Sequence, residues 1–154
     1  MQTNCLHVKF FRPTTWKDRV VSFLCRGIFC HCGLSFWYGS MWWYLDSLPG
    51  RGMKLIPTEG PQTDHIAHIQ SSDTRVMNWV KEHLDTKYGW LDGVRIVIRK
   101  WTGISFLGNP KGMVCSEMIA TMLNDLEITD FFTTALTPDE LGEMLCVGLV
   151  FESD

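Results

Sequence analysis

Several things are scarce in this 154-residue chain, and each scarcity removes a class of function. There is no run of basic residues. The 14 Lys and Arg stand against 17 Asp and Glu, for a formal net charge of −3, so the electrostatic footprint of a nucleic-acid binder is missing. There is no long uninterrupted apolar run either. The most apolar stretch, residues 20–44, is broken by Arg26, Gly27, His31, Gly33 and Gly39, whereas a bilayer-spanning helix needs about 20 consecutive apolar residues. No stable membrane insertion is expected. The N-terminus lacks the basic, apolar and small-residue succession of a secretory signal, which points to a cytoplasmic location. Repeats and low-complexity segments are also lacking, and the length fits a single domain spanning residues 1–154 with a real core.

Cysteine is not scarce. Cys5, Cys25, Cys30, Cys32, Cys115 and Cys146 make an even set. Without an export signal, and with most of them inside apolar runs, they read as reduced thiols rather than a disulfide framework. Cys25, Cys30, Cys32 and Cys146 read as core. His65 and His68 are spaced i, i+3 beside Asp64. A metal site needs three or four ligands, and no further set has the spacing, so neither a metal nor another cofactor is expected.

Cys115 is different. It lies in Met113-Val114-Cys115-Ser116-Glu117-Met118-Ile119, where a glycine-containing loop gives way to a strongly periodic segment. Met118, Ile119, Met122, Leu123 and Leu126 form one stripe, which predicts a helix over 114–126. A cysteine in the first turn of a helix feels the positive end of the macrodipole and the unpaired backbone N–H groups. Both favour thiolate, the nucleophilic form.

The remaining elements follow from pattern and punctuation. Residues 7–11 read as a strand. Thr15 and Asp18 form a capping box for a helix to about residue 25, with Trp16, Val20 and Phe23/Leu24 on its inward face and Gly27 ending it. Strands are expected at 28–37, 41–48, 53–57 and 66–70. Ser72 or Asp73 opens a helix to about residue 86 that turns Val76, Trp79/Val80 and Leu84 inward. Residues 91–101 fit two patterns, a strand through the alternation of Val94, Ile96 and Ile98 and a helix through Val94, Val97/Ile98 and Trp101, and the helix is the preferred reading. Residues 103–112 read as a loop. Thr137-Pro138-Asp139-Glu140 is a capping box with Pro at the first helical position, for a short helix to about residue 145. A closing strand is expected at 146–151.

A thiol nucleophile needs a histidine in reach and a polar group to orient it. His31 stands mid-strand between Cys30 and Cys32, which alternation turns to the other face. If the hairpin turn centres near Tyr38-Gly39, paired positions sum to 77, and His31 lies opposite Asp46 on a shared face. Asp46 is then the orienter, with Glu59 as the substitute. The backbone N–H of Cys115 is a candidate oxyanion donor.

Taken in order, these pieces resemble the circularly permuted papain-like cysteine enzymes, relatives of the NlpC-type cell-wall peptidases, and among them the YiiX-like subgroup. The matching residues are His31-Cys32-Gly33-Leu34, Tyr44-Leu45-Asp46-Ser47, Gly52-Met53-Lys54-Leu55, Lys87-Tyr88-Gly89-Trp90-Leu91-Asp92, Cys115-Ser116-Glu117-Met118 and Thr137-Pro138-Asp139-Glu140-Leu141. They span nearly the whole domain. The resemblance implies an α+β fold with an antiparallel sheet packed against helices and the nucleophile at a helix N-terminus. It also implies a Cys115/His31/Asp46 triad acting on amide or ester bonds, often in cell-wall peptides or lipids. Tyr88 and Glu117 become substrate-binding candidates, and Glu117 also suits the helix start. The chain departs from the pattern in carrying Asp46 where relatives often have Glu, and Tyr88-Gly89 where a Tyr-Asp pair is common. It has Val114-Cys115-Ser116-Glu117 where acyltransferase relatives carry Asn-Cys-Glu.

The leading expectation is a cysteine hydrolase of a small peptide amide, of bacterial or bacteriophage origin. Two rivals stand beside it. One is a lipid thioesterase or acyltransferase on the same triad. The other is a non-catalytic interaction module that meets a protein partner through the aromatic hairpin of Phe36-Trp37-Tyr38 and Trp42-Trp43-Tyr44.

Overall fold

A computed structural model describes residues 5–60, 66–71, 73–104, 112–130 and 136–149. The chain is α+β, as expected. Strands β1 (Cys5–Phe11), β2 (His31–Tyr38), β3 (Met41–Leu48), β4 (Gly52–Thr58) and β5 (Ile66–Gln70) form one antiparallel sheet in the order β4-β3-β2-β1-β5. The helices are α1 (Trp16–Cys25), α2 (Asp73–His83), α3 (Trp90–Thr102), α4 (Cys115–Asp125) and α5 (Pro138–Leu149). Two short strands, β6 (Lys87–Tyr88) and β7 (Gly112–Met113), pair in parallel beside α4. The second of these begins at Gly112, the last residue of the stretch read as loop, and two residues of pairing leave no periodicity to detect.

The core lies where α4 and α2 cover one face of the sheet. Leu6, Val8, Cys32, Leu34, Phe36 and Leu45 alternate onto that face and are buried. Met118, Ile119, Met122 and Leu123 of α4 and Val76 and Val80 of α2 meet them, all fully buried. Each such side chain contributes about 1.5–3 kcal/mol through apolar burial. The stripe read from α4 is therefore the one that packs, and the Val76, Trp79 and Val80 stripe of α2 packs too. Leu84 does not. It follows the last residue of α2 and is exposed.

Other expectations are corrected. The capping box of α1 is present: Thr15 N–H donates to Asp18 Oδ2 at 2.9 Å and Asp18 N–H to Thr15 Oγ1 at 3.3 Å. Its apolar stripe, however, faces outward, and Ser22 is the buried residue. Gly27 does not supply the left-handed residue that ends α1. Arg26 does, at φ 53°. Gly27 instead makes room for Asp139, whose carboxylate accepts the Ile28 and Phe29 N–H groups at 2.8 and 3.2 Å. With those N–H groups drawn to α5, β2 begins three residues later than its composition suggests. In α3 the buried residues are Asp92 and Ile96, while Val94 and Trp101 are exposed. The segment at 146–149 is helix, not strand. Nothing between Leu145 and Cys146 breaks α5, and Cys146 is exposed rather than core. Residues 150–151 of that expected strand lie outside the described residues, as do His65 and Ser72.

Candidate active site

Local structure brings Cys115 to the sheet. β7 ends at Met113, Val114 is extended at ψ 166°, and α4 starts at Cys115. Valine offers no side-chain acceptor for a cap. Glu117 compensates by accepting the Val114 N–H on Oε2 at 3.3 Å. Ser116 Oγ donates to the Leu136 carbonyl at 2.5 Å, which ties the helix start to the approach of α5. The first intrahelical bond runs from Met118 N–H to the Val114 carbonyl at 2.9 Å. The Cys115 and Ser116 N–H groups therefore stand ahead of the helix's own ladder, where an oxyanion would meet them.

His31 opens β2, and its Nε2 meets Asp46 Oδ1 at 2.5 Å. The expected partner is right, but the register behind it is corrected. Tyr38 pairs with Met41 and Leu34 with Leu45, so paired positions sum to 79. Asp46 stands across from Gly33, diagonal to His31 rather than opposite. A shift of two residues keeps the face, whereas a shift of one loses it, and a diagonal neighbour is within reach of a histidine. Gly33 has a steric reason to be glycine. A Cβ there would lie 2.0 Å from the Tyr44 hydroxyl and 2.4 Å from its ring carbon. Tyr44 is buried beside Asp46, and its hydroxyl has no partner among the described residues.

Asp46 occupies Nε2, so Nδ1 is the ring nitrogen available to a second partner such as Cys115. The Cys115 sulfur is close enough to Cys32, side chain and backbone N–H, and to His31 for both to act on its charge. Cys32 was read as plain core. It is fully buried, yet its thiol touches the candidate nucleophile. The signal that finds it is adjacency to His31, although alternation placed it on the opposite face. The start of α4 brings Cys115 to the beginning of β2, where both His31 and Cys32 act on it.

The charges follow from these contacts. The Cys32 hydrogen bond favours the Cys115 thiolate. Burial opposes it, and the His31 charge and hydrogen bond favour it again, leaving the Cys115 thiol well below its ordinary value. For His31, burial disfavours the cation. The Cys115 charge and the Asp46 hydrogen bond outweigh that and lift the imidazole to about 10. Cys32 goes the other way, pushed well up by burial and by donating to Cys115. Cys25 is raised to about 11, chiefly by burial. One thiol in this neighbourhood is thus acidified while those around it are suppressed, with a histidine protonated next to it. That is the electrostatic arrangement of a thiolate–imidazolium pair.

No protein-family model matches this chain. No curated protein matches it either.

The two substrate candidates part ways. Tyr88 pairs with Met113 and is half-buried, and its hydroxyl is pushed up first by burial and next by the nearby Cys115 charge. Its ring meets Trp90 edge-on at 5.4 Å. Glu117 is buried, and its carboxylate is turned back on its own helix start. In that position it braces the backbone at the start of α4. Among the described residues no cluster of His, Cys, Asp and Glu suits a metal ion, and no helix is long and apolar enough to cross a membrane. All six cysteines are free. Of the hairpin rings, Phe36 and Tyr44 are buried and Trp37, Tyr38, Trp42 and Trp43 are half-buried. Trp37 and Trp42 pack edge-on at 5.6 Å, and Trp43 Nε1 donates to the Tyr38 carbonyl at 3.1 Å.

Proposed function

We propose that this chain is a cysteine hydrolase that cleaves an amide bond, of the kind found in small peptides and cell-wall stem peptides, on a permuted papain-like fold. The observation that carries the reading is the convergence of three side chains from separate elements. Cys115 stands at the N-terminus of α4, His31 contacts it from the start of β2, and Asp46 of β3 grips the far ring nitrogen of His31. Helix dipole, imidazolium and hydrogen bonds all act in the same direction on one sulfur.

In the mechanism that follows, the Cys115 thiolate attacks the substrate carbonyl carbon. The electron pair moves onto the carbonyl oxygen, which the Cys115 N–H stabilises. As the tetrahedral intermediate collapses, His31 Nδ1 gives its proton to the departing amine, leaving a thioester. His31, now neutral, takes a proton from water as the water oxygen attacks the thioester carbonyl, and collapse of that second intermediate breaks the C–S bond, expels the Cys115 thiolate and releases the acid. Asp46 keeps the ring oriented through both halves of the cycle. Cys32 donates its S–H to the thiolate between turnovers.

The test is the pH profile of alkylation by iodoacetamide, in a Cys5→Ser/Cys146→Ser background, with the modified residue located by mass spectrometry. The expected outcome is that Cys115 reacts at neutral pH and remains reactive far into acid, where an ordinary thiol near 8.5 loses about tenfold per pH unit. Asp46→Ala and His31→Ala should move the profile back towards that of an ordinary thiol. A Cys115 that titrates like free cysteine, or that does not react in the folded protein, sinks the reading.

A further inference from the structure

One pocket adjoins the triad without belonging to it. It has a volume of about 460 Å³, within the range of roughly 300–1,000 Å³ usual for small-molecule sites. One wall is the turn between β3 and β4 with the start of β4, and it carries Arg51 and Lys54. The other is the link from α2 through β6, and it carries Asp85, Lys87, Tyr88 and Trp90. The two walls are fixed to each other by the Met53 N–H, which donates to the Thr86 carbonyl at 3.2 Å. The gap therefore has a built floor rather than two loops that happen to be close.

Two independent pairings tie this pocket to the elements that carry the candidate reacting groups. Lys54 stands directly across from Asp46 in the β3–β4 register, so the two share a face of the sheet. Tyr88 pairs with Met113, two residues before Cys115, and its hydroxyl feels the Cys115 charge. The pocket thus borders the strand next to the one that carries Asp46 and, through Tyr88, the short strand that leads into Cys115.

Its chemistry is one-sided. Arg51, Lys54 and Lys87 line it against the single carboxylate of Asp85, in a chain whose net charge is −3. None of the three cations is in an ion pair among the described residues. Tyr88 and Trp90 add two flat faces. Cations gathered in a concave site with aromatic walls attract an anion attached to an apolar or planar body.

We propose that this pocket binds an anionic substituent, a carboxylate or a phosphate, carried near the scissile carbonyl of the substrate. The proposal rests on the hydrolase reading of the site and adds the substrate class. Acids, rather than neutral or basic amides, are the compounds that this enzyme handles best.

The test uses thiol-directed probes, because chloride displacement by the Cys115 thiolate forms a thioether whatever the natural substrate is. Chloroacetyl-γ-aminobutyrate carries a carboxylate, its carboxamide is the neutral control, and chloroacetyl-phosphoethanolamine carries a phosphate. The acidic probes should alkylate Cys115 faster than the neutral one. Each removed cation should cost about fivefold, the size of one close charge contact at a wet surface. In Arg51→Gln/Lys54→Gln/Lys87→Gln the preference should collapse while the rate with the neutral probe holds, and added salt should erode it in the wild type. The ratio of the carboxylate to the phosphate probe assigns the source. An acidic preference no greater than that of a free thiol, or one that survives the triple substitution, overturns the proposal. A second measurement keeps the two ideas separable. Acetyl-γ-aminobutyrate and acetyl-phosphoethanolamine are titrated into Cys115→Ala and followed by NMR. Shifts at Tyr88 and Trp90 uphold the pocket even if Cys115 proves unreactive, and their absence with both ligands overturns it.

Discussion

The two helix pairs of this molecule are built to different rules. α2 and α4 lie on the sheet and turn their apolar stripes onto it, so that Val76, Val80, Met118, Ile119, Met122 and Leu123 are lost from water. α1 and α3 pack on each other and leave large side chains outside: Trp16 is 72% exposed, Phe23 66%, Trp90 62% and Trp101 50%. What joins that pair is specific rather than bulk. Trp101 Nε1 donates to the Leu24 carbonyl at 2.9 Å, its ring meets Phe23 at 5.5 Å, and the Arg26 guanidinium lies 5.2 Å above it. The lesson is that an apolar stripe at helical spacing finds a face but does not say what covers it. The proposed nucleophile sits on the well-covered pair, where a helix start is packed firmly enough to aim one sulfur.

The sharpest way to break this contrast is to cut into the covered side. Met118→Ala removes a fully buried side chain between α4 and the sheet and should destabilise the protein by about 2–5 kcal/mol, read as a shifted urea midpoint at unchanged slope. A loss below 1 kcal/mol would mean that α4 is not packed as described.

How much of this was legible in the sequence depends on the same contrast. α4 was readable because period, cap position and burial agree. That Cys115, His31 and Asp46 come together was readable, because a cysteine at a helix start and a histidine on a strand are local patterns. The register was not. The position of the hairpin turn rests on Gly39 and Ser40, both at positive φ, and placing the turn one residue early changed the pairing sum by two. The face survived only because two is the period of a strand. Cys32 was missed for a tertiary reason, since alternation assigns it to the core and only the location of α4 brings it to the sulfur. The length of α5 was missed because residues 146–149 satisfy strand and helix alike until something ends the helix.

The second prediction sharpens the covered side at the site itself. Gly33→Ala places a methyl group into the Tyr44 ring. Overpacking of that kind costs about 1–3 kcal/mol, and here it falls between His31 and Asp46. Thermal unfolding should register the loss, and alkylation of Cys115 should slow at neutral pH as the His31–Asp46 geometry is disturbed. Adding Tyr44→Leu should restore part of the stability. If the single variant is neutral in both assays, the close approach is not real.

The third prediction concerns the seam between the two sides. Glu140 of α5 accepts from Arg99 of α3 at 2.8 and 2.6 Å, pairs with Lys100 at 2.8 Å and caps its own helix through Thr137 at 2.9 Å. Burial would raise its pKa, but these bonds overcome that and hold the carboxyl at about 2. A carboxylate whose folded value is depressed stabilises the protein above its unfolded value and loses that contribution as pH falls through the folded one. The Glu140 contribution should therefore be whole above pH 4.5 and fade towards about pH 2. Glu140→Gln should cost about 1–2 kcal/mol at pH 7, and the gap between variant and wild type should narrow steadily below pH 4.5. A gap independent of pH would mean that shape, not charge, joins α5 to α3.

The smallest effect is expected on the uncovered side, and it tests the contrast most directly. Trp16 lies at the start of α1, and its ring is mostly in water. An exposed residue contributes little burial, so Trp16→Ala should change stability by no more than about 0.5 kcal/mol, within the noise of a urea titration. Phe23→Ala should cost somewhat more, because its ring also meets Trp101 and an aromatic pair is worth about 0.5–1.5 kcal/mol beyond its area. The order matters more than the sizes. If Trp16→Ala proved as damaging as Met118→Ala, α1 would have to be covered in solution, and the apolar stripe read from its sequence would be a buried face after all.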